Sequence, residues 1–132
     1  MATKVIEKIA YRLFRSHDIE DDMCLPKTLY HAHDGNMVLP LDKWLVAYQG
    51  LVCNPGGGKT FRAGWHVFPS IEDLLKYSKN MNKEYIVTPV LVKNVRSKPR
   101  SRSTVLLAKN MMICTPHWVA SESLGDWLNG YV

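Results

Sequence analysis

The segment 60–77, TFRAGWHVFPSIEDLLKY, constrains the fold more than any other part of the sequence. Its first half is rich in aromatic and β-branched residues, which favours a strand over 61–68. Gly64 stands in that strand where a bulge or a close backbone approach would occur. Ser70 can cap a helix, and Asp73 follows three residues later as an acidic variant of the capping box. The sequence therefore predicts a strand that turns directly into a short amphipathic helix over 71–77.

Further segments indicate additional strands. Residues 85–95 and 104–113 are dominated by β-branched and aliphatic side chains, and Pro89 in the first suggests an edge strand or a bulge. Residues 4–15 fit both a helical stripe and a strand alternation, and we predict a strand over 9–15. The other predicted elements are a polar loop over 16–27, a hairpin over 28–41, a helix over 42–48, a Gly-rich loop over 49–59 and a helix within 116–132.

The predicted elements favour an α+β fold with a mostly antiparallel sheet and two or three short helices. With 132 residues, 46% of them hydrophobic and 22% charged, the chain fits one globular domain over 1–132 rather than a disordered chain. The residues with core-facing spacing are Trp65, Leu75, Ile86, Val90 and Leu106.

No apolar run has the length of a membrane span, and the charged start MATKVIEKIA does not resemble a signal peptide. Cys24, Cys53 and Cys114 are far apart and form no C-x-x-C pair, which predicts reduced thiols rather than a disulfide framework or a zinc ribbon. We therefore expect a soluble, cytoplasmic protein.

Positive charge is concentrated in one segment. The net charge is +5, and the segment 93–102 holds five cationic residues and no acidic one. Such a segment predicts docking onto an acidic macromolecule, either nucleic acid or a protein, and a solvated hairpin tip is the alternative. The predicted binding residues are Lys93, Arg96, Lys98, Arg100 and Arg102.

Sequence motifs of the common catalytic chemistries are incomplete. The run from Gly56 to Thr60, GGGKT, resembles a phosphate loop, but Cys53 stands in place of its first glycine and a strand-like segment follows. His31 and His33 alternate and could share a metal, but no third ligand is indicated. We therefore predict no catalytic residue, no metal and no cofactor.

Three short motifs, YRLFR at 11–15, Trp44, and AGWHVF at 63–68, resemble a small uncharacterised domain of bacteriophage and mobile-element proteins, over residues 11–113. A more distant resemblance is to ADP-ribosyltransferases. In those folds an Arg or His follows an aromatic residue on the first strand, as Arg12 follows Tyr11. A second motif, a glycine followed by two aromatic residues, is similar to Gly64-Trp65-His66, with histidine in place of the usual tyrosine.

The third ADP-ribosyltransferase strand is similar to residues 104–107, but no glutamate precedes it, which implies a degenerate site. Together with the basic loop, these resemblances imply a phage-type accessory protein that binds an acidic macromolecule and inhibits a host process; an ADP-ribosyltransferase-like enzyme is the alternative. The residues of a possible pocket are Arg12, Arg62, Trp65 and His66.

Overall fold

The computed structural model describes residues 7–18, 24–27, 38–47, 51–53, 60–98 and 104–130. These residues form strands and short helices in the following order: β1 Lys8–Asp18, β2 Cys24–Lys27, β3 Leu45–Val46, β4 Leu51–Cys53, β5 Thr60–Arg62, β6 Trp65–Val67, α1 Ile71–Ser78, β7 Ile86–Ser97, β8 Leu106–Met112, α2 Thr115–Val119, β9 Glu122–Ser123 and α3 Leu124–Gly130.

The main sheet is antiparallel and has the order β2-β1-β7-β8-β3, with β6 also on β8 and β9 also on β7. Strand β7 is central: it pairs with β1 from Ile86 to Val92 and with β8 from Leu91 to Ser97. The predicted α+β class with a mostly antiparallel sheet is confirmed, as are the strands predicted over 9–15, 85–95 and 104–113.

The sheet closes on itself where β6 ends. Phe68, directly after β6, exchanges two backbone hydrogen bonds with Tyr11 of β1, at 2.9 and 2.8 Å. Because β6 pairs with β8, these two bonds complete a ring of β1, β7, β8 and β6. We call the junction of β6 with β1 the seam.

Pro89 lies in a central strand, so of the two predicted alternatives, an edge strand or a bulge, the edge strand is wrong. Tyr11 is the partner of Pro89 on β1, but the N–H and carbonyl of Tyr11 both bond to Phe68 and so point away from β7. The nitrogen of Pro89 therefore points away from β1, towards the other side of β7. On that side β8 pairs only from Leu91 onwards and β9 only as far as Val87. Proline is therefore tolerated because no ladder hydrogen bond is required of its nitrogen.

The single strand predicted over 61–68 is divided at Gly64. Strand β5 pairs with β4 in a separate two-stranded sheet, whereas β6 joins the main sheet through β8. A Cβ atom on Gly64 would lie 2.9 Å from the Cβ of Leu107 and 3.3 Å from the carbonyl oxygen of Ala108. The predicted close backbone approach at Gly64 is confirmed, and it is a contact with β8.

Helix α1 begins as the sequence predicts. The hydroxyl of Ser70 accepts a hydrogen bond from the backbone N–H of Asp73 and donates one to its carboxylate. Leu74 and Leu75 turn inward, and the helix packs near β1 and α3. The helix predicted within 116–132 is instead two short helices, α2 and α3, separated by the two-residue strand β9.

Several predictions about the first half of the chain were wrong. Residues predicted as a polar loop over 16–27 include the end of β1 and all of β2, which pair as a hairpin. Residues 45–47, predicted to be helical, run along β8, because Leu45 and Val46 pair with it and Ala47 donates to the carbonyl of Lys109. The predicted loop 49–59 contains β4. Of the predicted hairpin, 28–37 lie outside the described residues.

The core lies on both faces of the sheet. One cluster, inside the ring, includes Phe14, Trp65 and Trp118, and the other packs α1 and α3 onto the opposite face. Of the five predicted core residues, Trp65, Leu75 and Val90 are buried. The other two, Ile86 and Leu106, are half-buried and pack against the first cluster. No helix among the described residues is both long and apolar enough to cross a membrane.

Asp42, predicted to cap a helix over 42–48, caps a distant helix instead. Its carboxylate accepts a hydrogen bond from the backbone N–H of Thr115, at 2.9 Å, and another from the Thr115 hydroxyl. Thr115 is the first residue of α2, so a side chain 73 positions earlier satisfies the N-terminus of that helix. Asp42 adopts a φ of 61° to do so.

Replacing Asp42 by alanine is expected to lower the Tm, because the variant loses both hydrogen bonds and retains an unfavourable positive φ. The Thr115 hydroxyl, then its N–H, holds the pKa of Asp42 below the ordinary value of 3.8. The stabilisation is therefore fully present above that value and is lost as the pH falls through the lowered pKa. Thermal unfolding followed by circular dichroism at neutral and acidic pH measures it.

The matched control for this prediction is Asp42→Asn, which tolerates a positive φ and keeps one acceptor oxygen but no charge. We expect it to be less destabilised than Asp42→Ala, with its deficit against the wild type shrinking in acid. Equal Tm values for wild type and Asp42→Ala would show that the contact with Thr115 does not stabilise the fold.

Candidate functional site

Arg12 is a buried cation at the seam. It stands on β1 opposite Thr88 of β7, and its side chain is only 6% exposed. Its Nη1 donates a hydrogen bond of 2.9 Å to the carbonyl oxygen of His66 on β6. The guanidinium carbon lies 5.4 Å from the ring centroids of both Phe14 and Trp65, within the range of cation–π attraction. Burial lowers the pKa of Arg12 to about 10, so the group remains charged at pH 7.

His66 stands on β6, the second strand of the seam, where it pairs with Leu107 of β8. Burial is the largest cause that lowers the pKa of His66, to about 4, followed by the positive charges of Lys98 and Arg12. A hydrogen bond with the backbone of Gly64 opposes this shift and only partly offsets it. The imidazole is therefore neutral at pH 7 and lies in a positive field.

The end of β7 brings two further cations to this region. Arg96 pairs with Leu107 in the ladder, and its Nη2 donates a hydrogen bond of 3.0 Å to the carbonyl oxygen of Ala63. Lys98 follows the strand, and its backbone N–H donates to Val105. Burial lowers the pKa of the Lys98 ammonium. We call Arg12, Arg96 and Lys98, together with the neutral His66, the cationic cluster.

Lys93, the first residue of the predicted binding set, lies apart from the cationic cluster. Its Nζ sits 3.8 Å from the centroid of the Trp44 ring and 3.8 Å from a carboxylate oxygen of Glu7. Trp44 and Glu7 thus hold Lys93 on the protein itself. We therefore exclude Lys93 from the cationic cluster.

The structure joins two sites that the sequence treats as separate. The predicted pocket contributes Arg12, Trp65 and His66, and the predicted basic segment contributes Arg96 and Lys98. The rest of that segment, Arg100 and Arg102, lies outside the described residues. The backbone of Arg62 forms the end of β5, and its side chain is likewise outside the described part of the chain.

Charge is polarised along β7. No acidic residue occurs in 93–103, which contains the end of β7. The neighbouring segments 60–70, with β6, and 104–113, with β8, contain no acidic residue either. At the start of β7, Glu84, Glu122 and Asp126 are mixed with Lys83. The two ends of β7 are about 36 Å apart at the usual rise of a strand. The end of β7 is thus uniformly positive.

The sequence did not reveal the partners that hold these cations. Glu7 and Trp44 fix Lys93, and backbone carbonyls of Ala63 and His66 accept from the two arginines. Every residue has a backbone carbonyl, so the sequence does not indicate which carbonyl accepts a hydrogen bond from an arginine. Strand alternation could have placed Arg12 on the same face as Ala10 and Phe14, and thus indicated its burial.

Within the described ranges no group of three or more His, Cys, Asp or Glu residues could hold a metal ion. His31, His33 and the run 56–59 lie outside those ranges, so the prediction that they form neither a metal site nor a phosphate loop stays a prediction. Cys114 is a free thiol whose pKa is raised, first by burial and then by the charges of Asp42 and Glu7.

No protein-family model matches this chain, and no curated protein or solved structure matches it significantly either. The resemblances to phage domains and to ADP-ribosyltransferases therefore stay predictions from the sequence.

Proposed function

We propose that this chain is a phage-type accessory protein that acts in the cytoplasm and docks onto nucleic acid through the end of β7, and so inhibits a host process. The observation that carries the proposal is the uniformly positive end of β7, where three neighbouring segments contribute cations and no acid. Fields of this kind attract polyanions and raise their association rates.

Nucleic acid is favoured over an acidic protein because of the donors available. The segment 93–103 combines arginine, lysine and serine, all of which donate to phosphate oxygens. The antiparallel pairing of β7 with β8 supplies a rigid base for this segment, since Lys98 is still bonded to Val105. No aromatic residue lies within 93–103, so phosphate contacts rather than base stacking provide the affinity.

The triple variant Lys98→Ser, Arg100→Ser, Arg102→Ser tests this function. We expect weaker binding to duplex DNA and to single-stranded RNA, with a nearly uniform loss across sequences, because phosphate contacts carry no sequence information. The slope of log affinity against log salt should fall by about 0.9 for each duplex phosphate contact removed. Fluorescence anisotropy titrations at several salt concentrations measure both quantities.

The control removes the same charge from elsewhere. Lys76, Lys79 and Lys83 are exposed on and after α1, and their replacement by serine also lowers the net charge by three. This variant should bind nucleic acid nearly as well as the wild type. Equal losses in both variants would indicate a net-charge effect without a docking surface. If the triple variant at Lys98, Arg100 and Arg102 binds nucleic acid as well as the wild type, the proposal is rejected. If that variant loses binding only to an acidic protein partner, the partner is the acidic protein rather than nucleic acid.

An ADP-ribosyltransferase-like enzyme with a degenerate site is the second candidate. One observation favours it: Arg12 donates to the carbonyl of His66, so the two segments that carry the resemblance are in contact. Release of nicotinamide from NAD by the wild type, abolished in Arg12→Ala, would support this candidate over the docking function.

A further inference from the structure

Arg12 is an ion without a counter-ion in the described part of the chain. It forms one hydrogen bond there, from Nη1 to the carbonyl of His66, and no carboxylate of those residues contacts it. Its Nε is buried and has no acceptor. Removing a guanidinium from water without pairing it is costly, so such groups are ordinarily matched by an acid or a bound anion.

The aromatic neighbours of Arg12 do not remove this cost. Phe14 and Trp65 lie 5.4 Å from the guanidinium carbon, and a ring attracts the cation through its face. The N–H groups of a guanidinium, however, point outward in its own plane and require oxygen acceptors. The buried Nε therefore remains a donor in need of an acceptor.

The surroundings of Arg12 suit an anion with more than one charge. Lys98 and Arg12 both oppose protonation of His66, and no carboxylate of the described residues offsets them there. A phosphate monoester carries about −1.5 to −2 charges at pH 7, and its oxygens match the planar donors of arginine. A carboxylate carries a single charge and suits this field less well.

We propose that the seam between β1 and β6 is a receptor for a single phosphate group, held by Arg12 where it contacts the backbone of His66. The donor at Nε and the charge of Arg12, both unmatched among the described residues, mark the place of the phosphate. This proposal deepens the docking function, because Lys98 of the docking segment also places positive charge near His66. A terminal phosphate of a nucleic acid and a free phosphate or mononucleotide share the required chemistry.

Thermal unfolding at constant ionic strength, with inorganic phosphate replacing chloride, tests the receptor directly. We expect phosphate to raise the Tm of the wild type in a saturable manner. Arg12→Met should abolish that rise while leaving the Tm in phosphate-free buffer at least as high as that of the wild type, because an unpaired buried charge has been removed. Arg15→Met, the same substitution three positions along β1, should keep the phosphate response.

A second variant tests the receptor in case the Arg12→Met protein does not fold. Arg12→Lys keeps the charge but loses the planar donors, and we expect its phosphate affinity to fall at least about tenfold. A shift of the Arg12 Nε–H resonance on addition of phosphate should accompany binding in the wild type. Three results would overturn the receptor. Phosphate does not raise the Tm of the wild type, the rise is unchanged in Arg12→Met or Arg12→Lys, or the rise is lost in Arg15→Met.

Oligonucleotides with and without a 5′-phosphate separate the two sources of the ligand and the two proposals. Tighter binding of the 5′-phosphorylated strand, lost in Arg12→Lys, identifies a nucleic-acid end. Equal binding of both strands together with a response to inorganic phosphate or a mononucleotide identifies a small ligand. If the 5′-hydroxyl strand binds in a salt-dependent manner and phosphate has no effect, docking is upheld and the receptor is rejected. If phosphate has its effect and the 5′-hydroxyl strand does not bind, only the receptor is upheld.

Discussion

Replacing Trp65 by alanine is expected to destabilise the protein by about 3–5 kcal/mol, the usual cost of removing a buried tryptophan. Trp65 is 3% exposed inside the ring of strands, and its Nε1 donates a hydrogen bond of 3.1 Å to the carbonyl of Leu45. The substitution would leave a cavity and remove the side-chain hydrogen bond to Leu45. Urea unfolding followed by far-UV circular dichroism measures the change in the free energy of unfolding without relying on tryptophan fluorescence.

Trp44→Ala provides the matched control for Trp65→Ala. Trp44 is only partly buried, and its described contact is the cation–π pair with Lys93. A pair of that kind is worth about 0.5–1 kcal/mol near the surface, so the control should lose much less stability. If Trp65→Ala does not fold, Trp65→Phe isolates the hydrogen bond to Leu45. Equal destabilisation in Trp44→Ala and Trp65→Ala would contradict the central position assigned to Trp65.

The same residue links the fold to the candidate site. Trp65 offers its ring to Arg12, and its neighbour His66 supplies the carbonyl that accepts from that arginine. Loss of the Trp65 ring should therefore disturb the phosphate receptor as well as the core.

Local chemistry made much of this fold predictable. The capping box of Ser70 and Asp73 uses contacts within one turn, so sequence reasoning found α1 and its boundary. Strands β7 and β8 were predicted because their β-branched and aliphatic runs are long. In both cases the decisive interactions lie between residues close in sequence or within one regular pattern.

Long-range contacts account for the wrong predictions. Asp42 looks like a helix cap for the residues after it, but its partner is Thr115, and Leu45 then pairs with β8. Pro89 suggests an edge strand, but a gap between β8 and β9 accommodates it in the centre. Neither outcome can be read from neighbouring residues, because each depends on which distant segment lies alongside.

The candidate site was predicted as parts but not as a whole. Basic residues in 93–102 and the pair Trp65 and His66 were each identifiable from composition and pattern. Their proximity follows from antiparallel registers that pair Leu107 with both His66 and Arg96. A register shift of one residue would place these side chains on opposite faces, so residue identity alone could not bring the parts together.

Gly64→Ala is expected to destabilise the protein by about 1–3 kcal/mol, the cost of inserting a methyl group where no space exists. The added Cβ would meet the Cβ of Leu107 at 2.9 Å and the carbonyl oxygen of Ala108 at 3.3 Å. Both belong to β8, and Leu107 is fully buried, so neither atom can move without shifting the strand. Urea unfolding of the variant and the wild type measures the effect.

Gly130→Ala is the matched control, because a Cβ atom there has no neighbour within 4 Å. Its position at the end of α3 should make the substitution neutral or slightly stabilising. Gly64→Ala should also weaken phosphate-dependent stabilisation, since displacing β6 from β8 moves the His66 carbonyl that Arg12 contacts. A Gly64→Ala protein as stable as Gly130→Ala would show that β6 can move away from β8 at little cost, and would leave the seam without the rigid support that the phosphate receptor requires.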